Sequence, residues 1–351
     1  MSPFLGILLS LAIAVLAGVA AEAIGAPLPW LLGPMIASAG VAVAGFAPFG
    51  VAPRMPAWSR PVFTPVIGVG IGATVTPQIL GQASEWWPSL IAVAAFVVAA
   101  QGCGYAILRR LGGFDRPTAY FAASPGGLID SVLMGEMRGG DTATMATMHL
   151  TRIVIAVAAV PLILTFVATA EGQPLHAPVA AAGWPGPVDA ALLLLCAVGG
   201  ALLAVRVRLP AGVMLGPFLA SAALHLSGLS SAQVPLLVVH VAQMVVGAML
   251  GLRFSGTPHA VLVRGLGLTF VTAGVSIALA GGFALALDAL VPATSAAIFL
   301  AFAPGGIAEM GLVAISLGVE PAFVIVHHLA RILLTVSLGP ILYDRLIGRA
   351  R

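Results

Sequence analysis

The chain has 351 residues, 60% of them hydrophobic and 8% charged, with a formal net charge of +3 and a mean hydropathy of +1.11. A soluble domain carries roughly a quarter charged residues, so this composition excludes a water-soluble globular protein and implies a multi-span integral membrane protein. Lysine is absent. The arginines form no basic, aromatic-interleaved surface for nucleic acid, and are read instead as topology signals.

In chain order, apolar segments of spanning length fall at 4–22, 29–47, 61–79, 88–108 and 143–169, then at 188–205, 212–228, 235–252, 265–287 and 322–342. The first run resembles a signal peptide but lacks a basic leader. The similar run at 188–205 argues that it is a retained helix. Two further apolar stretches, 117–138 and 296–319, are interrupted by Ser124-Pro125-Gly126-Gly127 and Ala303-Pro304-Gly305-Gly306. Proline removes a backbone donor and glycine weakens the helix, so both stretches are expected to be broken or re-entrant helices near the midplane. Cys103 and Cys196 lie in apolar runs and read as small buried hydrophobes.

The interruptions reveal a duplication. An offset of 179 residues carries Pro125-Gly126-Gly127 onto Pro304-Gly305-Gly306, Asp130 onto Glu309, His149 onto His328 and Arg152 onto Arg331. The same offset carries Gly68 and Gly72 onto Gly247 and Gly251. Upstream, Pro27–Pro34 matches Pro210–Pro217 at an offset of 183. The chain therefore reads as two membrane repeats, 1–175 and 176–351. They join in the polar, Pro/Gly-rich stretch 171–188, which contains Gly172-Gln173-Pro174.

Arginine placement orients the copies. In the first half Arg54 and Arg60 follow the second segment, and Arg109, Arg110 and Arg116 follow the fourth. In the second half Arg206 and Arg208 follow the first segment, and Arg253 and Arg264 flank the loop after the third; Arg345, Arg349 and Arg351 end the chain. Equivalent loops thus face opposite sides. The expected fold is all-α, with two inverted-topology repeats of about five transmembrane helices each and both termini cytoplasmic.

The motifs bearing chemistry are those the duplication repeats. An intramembrane carboxylate costs several kcal/mol unless paired or hydrated, which marks Asp130 and Glu309 as cation or proton sites. Around Ser124, Pro125–Gly127 and Pro304–Gly306, the backbone N–H groups at the start of the second half-helices point to anion binding. Arg152 and Arg331 lie three residues after His149 and His328 on the same helix face. They read either as substrate-anion clamps or charge partners of the acids, or as static ion pairs. The two histidines read as proton shuttles or as interhelical hydrogen-bond donors. His225, His240 and His327 have no counterpart in the other copy and are read as structural. The glycine pairs at 68/72 and 247/251 let helices approach closely. No histidine–carboxylate spacing indicates a metal, and no cofactor is expected.

The paired Leu-Pro-Trp-Leu-Leu-Gly-Pro and Pro-Gly-Gly-x-x-[Asp/Glu] motifs, with His-x-x-Arg downstream, resemble the AbrB-type membrane proteins of bacteria over essentially the whole chain. The resemblance implies a plasma-membrane transporter. It also carries an inherited ammonia monooxygenase name and a link to regulation of gene expression. The family in turn resembles inverted-repeat secondary transporters such as sodium/proton antiporters. The expected function is secondary transport of a small solute, coupled to protons or sodium through the two carboxylates. The alternatives are a membrane component affecting gene regulation and a monooxygenase. Expected partners are the bilayer and the solute, with no nucleic acid; a homo-oligomer is left open.

Overall fold

The computed structural model describes residues 3–170, 183–257 and 259–348. Among the described residues every extended element is helical and none is a strand. Contacts divide the chain into two compact units, each drawn from both halves of the sequence.

The first unit holds α1 (Pro3–Ala23), α2 (Pro29–Val43), α3 (Ser59–Gly72), α4 (Pro77–Gln82), α9 (Pro187–Arg206), α10 (Gly212–Leu226), α11 (Leu236–Leu252) and α14 (Ile307–Leu317, from Ala308). Its core is a reciprocal exchange: α2 packs on α11 and α3 on α10. Gly247 and Gly251 lie against Leu31 and Met35, while Gly68 and Gly72 lie against Met214 and Phe218. A Cβ at Gly72 would stand 2.5 Å from the Phe218 carbonyl oxygen, and one at any of the other three would collide as badly. The helices can touch backbone to backbone only because these positions carry no side chain. The ends of α2 and α10 also correspond. Each starts after a non-glycine residue in the left-handed region, Leu28 (φ 46°) or Ala211 (φ 51°). Each is followed by a left-handed glycine, Gly45 or Gly228.

The second unit holds α5 (Trp87–Arg110), α6 (Arg116–Ala123), α7 (Leu128–Glu136), α8 (Thr142–Ala170, to Val160), α12 (His259–Leu287), α13 (Ser295–Phe302) and α15 (Pro321–Leu342, from Phe323). The short helices α6 and α13 start with matched side-chain caps. Asp115 accepts from the Thr118 amide at 2.8 Å, and Thr294 accepts from the Ala297 amide at 3.2 Å. Phe96 sets its ring edge-on against Phe283 and Phe302. Trp86 meets Phe323 the same way, so α5 is tied to α12, α13 and α15 through aromatic contacts.

Six described helices are long and apolar enough to cross a bilayer: α1, α5, α8, α9, α12 and α15. The expected spans at 29–47, 212–228 and 235–252 are the shorter helices α2, α10 and α11, of 15, 15 and 17 residues. At 1.5 Å per residue these reach about 22–26 Å, short of a ~30 Å hydrocarbon layer. The expected continuous span at 61–79 is instead broken. It ends at Gly72 and restarts as α4 at an angle of 85°, because Pro77 biases Thr76 away from helical backbone. Cys196 is buried as expected, but Cys103 is exposed. An exposed small apolar side chain on a spanning helix is compatible with lipid. Most of the 171–188 join lies outside the described residues, as do Arg349, Arg351 and the Arg264 side chain.

Candidate functional site

The two interruptions lie where the motifs place them. α6 ends at Ala123 and α7 begins at Leu128; α13 ends at Phe302 and α14 begins at Ile307. Ser124, Pro125, Gly126 and Pro304 are buried, while Gly127, Gly305, Gly306 and Asp130 are partly exposed. Gly127 adopts φ +51°, which its missing Cβ permits. A Cβ on Gly126 would stand 3.1 Å from Thr335 Oγ1, and one on Gly127 would stand 3.2 Å from Val336. The first break is thus pressed against α15, about one turn beyond Arg331.

Each break is held by the arginine and histidine of the long helix behind it. His149 Nε2 lies 2.9 Å from the Phe121 carbonyl, and His328 Nε2 lies 3.0 Å from that of Leu300. A carbonyl only accepts, so Nε2 carries the proton. Nδ1 then accepts from the neighbouring guanidinium, 3.1 Å away for Arg152 and 2.9 Å for Arg331. The remaining arginine donors reach the carbonyls that end the first half-helix. Arg152 bonds Ser124, and Arg331 bonds Ala303 at 2.7 Å. Placing a cation at a helix C-terminus offsets both the unpaired carbonyls and the negative end of the dipole. Donor and acceptor are 28 residues apart at both breaks, so the same contact recurs where the same letters do.

The copies part company at the next carbonyl. Gly126 O accepts from Ser131 Oγ at 3.0 Å, and Ser131 Oγ also lies 3.0 Å from Ser124 Oγ. In the second copy Ala303 and Met310 stand in place of the two serines, and Gly305 O accepts from Arg331 instead, at 2.8 Å. The arginine supplies what the missing hydroxyls cannot. The Ser124 hydroxyl is therefore engaged in holding the break.

Arg152 and Arg331 are close enough to act on one another electrostatically. Both are buried, and in both Nε lacks a partner. The ion pair found among the described residues is elsewhere, between Arg138 and the exposed Asp344 at 2.7 Å. Its hydrogen bond raises the Arg138 pKa. Among the described residues no three His, Cys, Asp or Glu side chains cluster as a metal site requires.

Glu309 belongs to the first unit and Asp130 to the second. Glu309 is 7% exposed and lines a small cavity with Arg60 and Thr64 of α3 and with Val246, Leu250 and Arg253 at the end of α11. Its helix is fixed to α11 by a part-buried bond from Gln243 Nε2 to Ser316 Oγ, 2.6 Å long.

The family described as "Transition state regulatory protein AbrB" matches residues 38–347. The chain belongs to the AbrB family. Relatives include "Putative regulator AbrB" of Escherichia coli (strain K12), 25% identical over 320 residues, covering 91% of this chain and 90% of that one. Another is "Uncharacterized protein YhjN" of Bacillus subtilis (strain 168), 25% identical over 342 residues, covering 91% and 87%.

For this AbrB-family chain, the structure gathers both Pro-Gly-Gly breaks, His149, Arg152, His328 and Arg331 into one unit, and sets Glu309 in the other. Sequence reasoning missed Ser131, Thr64 and Gln243, which have no repeated motif to announce them. It assigned Arg60 and Arg253 to topology alone. One signal was available: Arg60 lies in the first turn of α3, where the helix dipole disfavours a cation.

Proposed function

We propose that this protein is a secondary transporter of a small solute, with the two copies inverted in the bacterial plasma membrane and both termini cytoplasmic. The observation that carries the reading is the pair of interrupted helices, each held open by a buried His–Arg pair and followed one turn later by an acid. Irregular backbone and ionisable groups at membrane depth are tolerated where they line a pathway. Asp130 and Glu309 would couple the cycle to protons or sodium. Arg152 and Arg331, each with a donor left over, would meet a passing solute without leaving the carbonyls they hold. The name of the Escherichia coli relative favours a second reading, an effect on gene expression, which moving an effector across the membrane would itself produce.

The test is flux in proteoliposomes carrying a trapped pH dye, challenged with acetate, alanine, choline and glucose under proton and sodium gradients. Coupled uptake of one class should fall to background in Asp130→Asn and Glu309→Gln. Wild-type coupling in the double variant would remove both acids from the mechanism.

A further inference from the structure

The Glu309 cavity contains more charge than a coupling site needs. α3 contributes Arg60 and, one turn on, Thr64; the end of α11 contributes Arg253; α14 contributes Glu309 from its first turn. Arg253 feels both of the other charges. Burial lowers its pKa most, Arg60 lowers it further, and Glu309 opposes them. Yet among the described residues no ion pair or hydrogen bond joins Arg60, Arg253 or Glu309 to one another. Two guanidiniums and one carboxylate leave the cavity with one uncompensated positive charge. A monovalent anion entering it would cancel that excess. An anion would also relieve the cation at the start of α3.

We propose that this cavity binds a small monovalent carboxylate, its oxygens on Arg60, Arg253 and Thr64 and its short alkyl group against Val246 and Leu250. Arginine presents a planar fork that suits a carboxylate. The inner space open to the centre of a water molecule is ≈ 20 Å³, about one water's worth, and the empty volume including the open mouth is ≈ 300 Å³, so the inner space admits carboxylate oxygen and the rest of an acetate- or propionate-sized anion lies in the mouth. The assignment rests on the transporter reading only for what happens to the anion afterwards; binding stands without it.

Full-length protein in detergent is titrated with sodium acetate, and with choline chloride as a control for salt, while thermal unfolding is followed. Acetate should raise the midpoint in a saturable way. Arg253→Gln should weaken apparent affinity by about 10-fold or more, the loss expected for one charged hydrogen-bond partner. Arg60→Gln, at an exposed position that folding tolerates, should do likewise, and Arg138→Gln should leave it unchanged. No acetate, formate or propionate effect up to 100 mM, or one that survives in the Arg60→Gln/Arg253→Gln pair, overturns the proposal. So does phosphatidylglycerol retained by wild type and lost from Arg253→Gln in native mass spectrometry, which would make the anion a lipid headgroup. Binding without proteoliposome flux supports the site and sinks the transporter. Coupled flux of choline or glucose that the arginine variants leave intact does the reverse.

Discussion

Replacing each buried arginine by lysine separates its charge from its geometry. Arg331 donates to Ala303 O, Gly305 O and His328 Nδ1 at 2.7, 2.8 and 2.9 Å. A lysine ammonium keeps the charge but lacks the fork and can serve one of the three. Two acceptors then go unpaired in a buried setting, at about 1.5 kcal/mol each for bonds to a charged donor, or about 3 kcal/mol in total. Arg152 has two acceptors, Ser124 O and His149 Nδ1, because Ser131 already serves Gly126 O. Arg152→Lys loses one bond, about 1.5 kcal/mol. The two variants should therefore be unequal, with Arg331→Lys the worse by roughly that one bond. Adding Ser131→Ala to Arg152→Lys should close most of the gap. The assay is unfolding of purified protein in one detergent, compared as rates because membrane proteins of this size often unfold irreversibly. Equal damage from the two lysine variants, or greater damage from Arg152→Lys, would refute the claim that arginine replaces the hydroxyls in the second copy.

Three further outcomes are expected. Gly72→Ala and Gly251→Ala should each destabilise by about 1–3 kcal/mol through overpacking against backbone. Gly282→Ala, with nothing within 4 Å, should be neutral or stabilising by up to about 1 kcal/mol from helix propensity; thermal midpoints decide. Asp115→Ala should cost about 1 kcal/mol by uncapping α6, as should Thr294→Ala for α13, measured the same way. In the acetate titration, Thr64→Val should weaken binding less than Arg253→Gln, since it removes a neutral donor rather than a charged one.

Hydropathy alone located nearly every helix here, since a membrane helix must be apolar along most of its length. It failed where length and ends matter. Gly45 and Gly228 stop α2 and α10 short, and Pro77 splits what looked like a span. Apolarity by itself does not count residues per crossing. At the breaks, the histidine and arginine that end the first half-helix were legible, because the same spacing recurs 179 residues further on. Ser131 and Gln243 were not. They act through single hydrogen bonds whose partners, Gly126 and Ser316, are identified only by the folded path. Arg60 and Arg253 were visible but underread. Positive charge beside a hydrophobic segment has a sufficient explanation in topology, and only the presence of Glu309 in the same cavity asks for another.

The pattern of likeness and difference between the copies bears on what each is for. What repeats is scaffolding: the cap on the first half-helix, the histidine on a carbonyl of its last turn, and the arginine on the carbonyl just after it. These end the first half-helix the same way twice. What differs is the chemistry next to the bend: Ser124 against Ala303, Ser131 against Met310, Asp130 against Glu309. A purely structural duplication has no reason to keep the costly break while changing its polar groups, since an unbroken apolar helix would be cheaper in both places. In the transporter proposed above, two breaks ended alike but set in unequal surroundings would let the two acids perform distinct steps. The partly exposed Asp130 and the buried Glu309, set among different neighbours, are then expected to differ in phenotype: Glu309→Gln should alter carboxylate binding at equilibrium, and Asp130→Asn should alter flux alone.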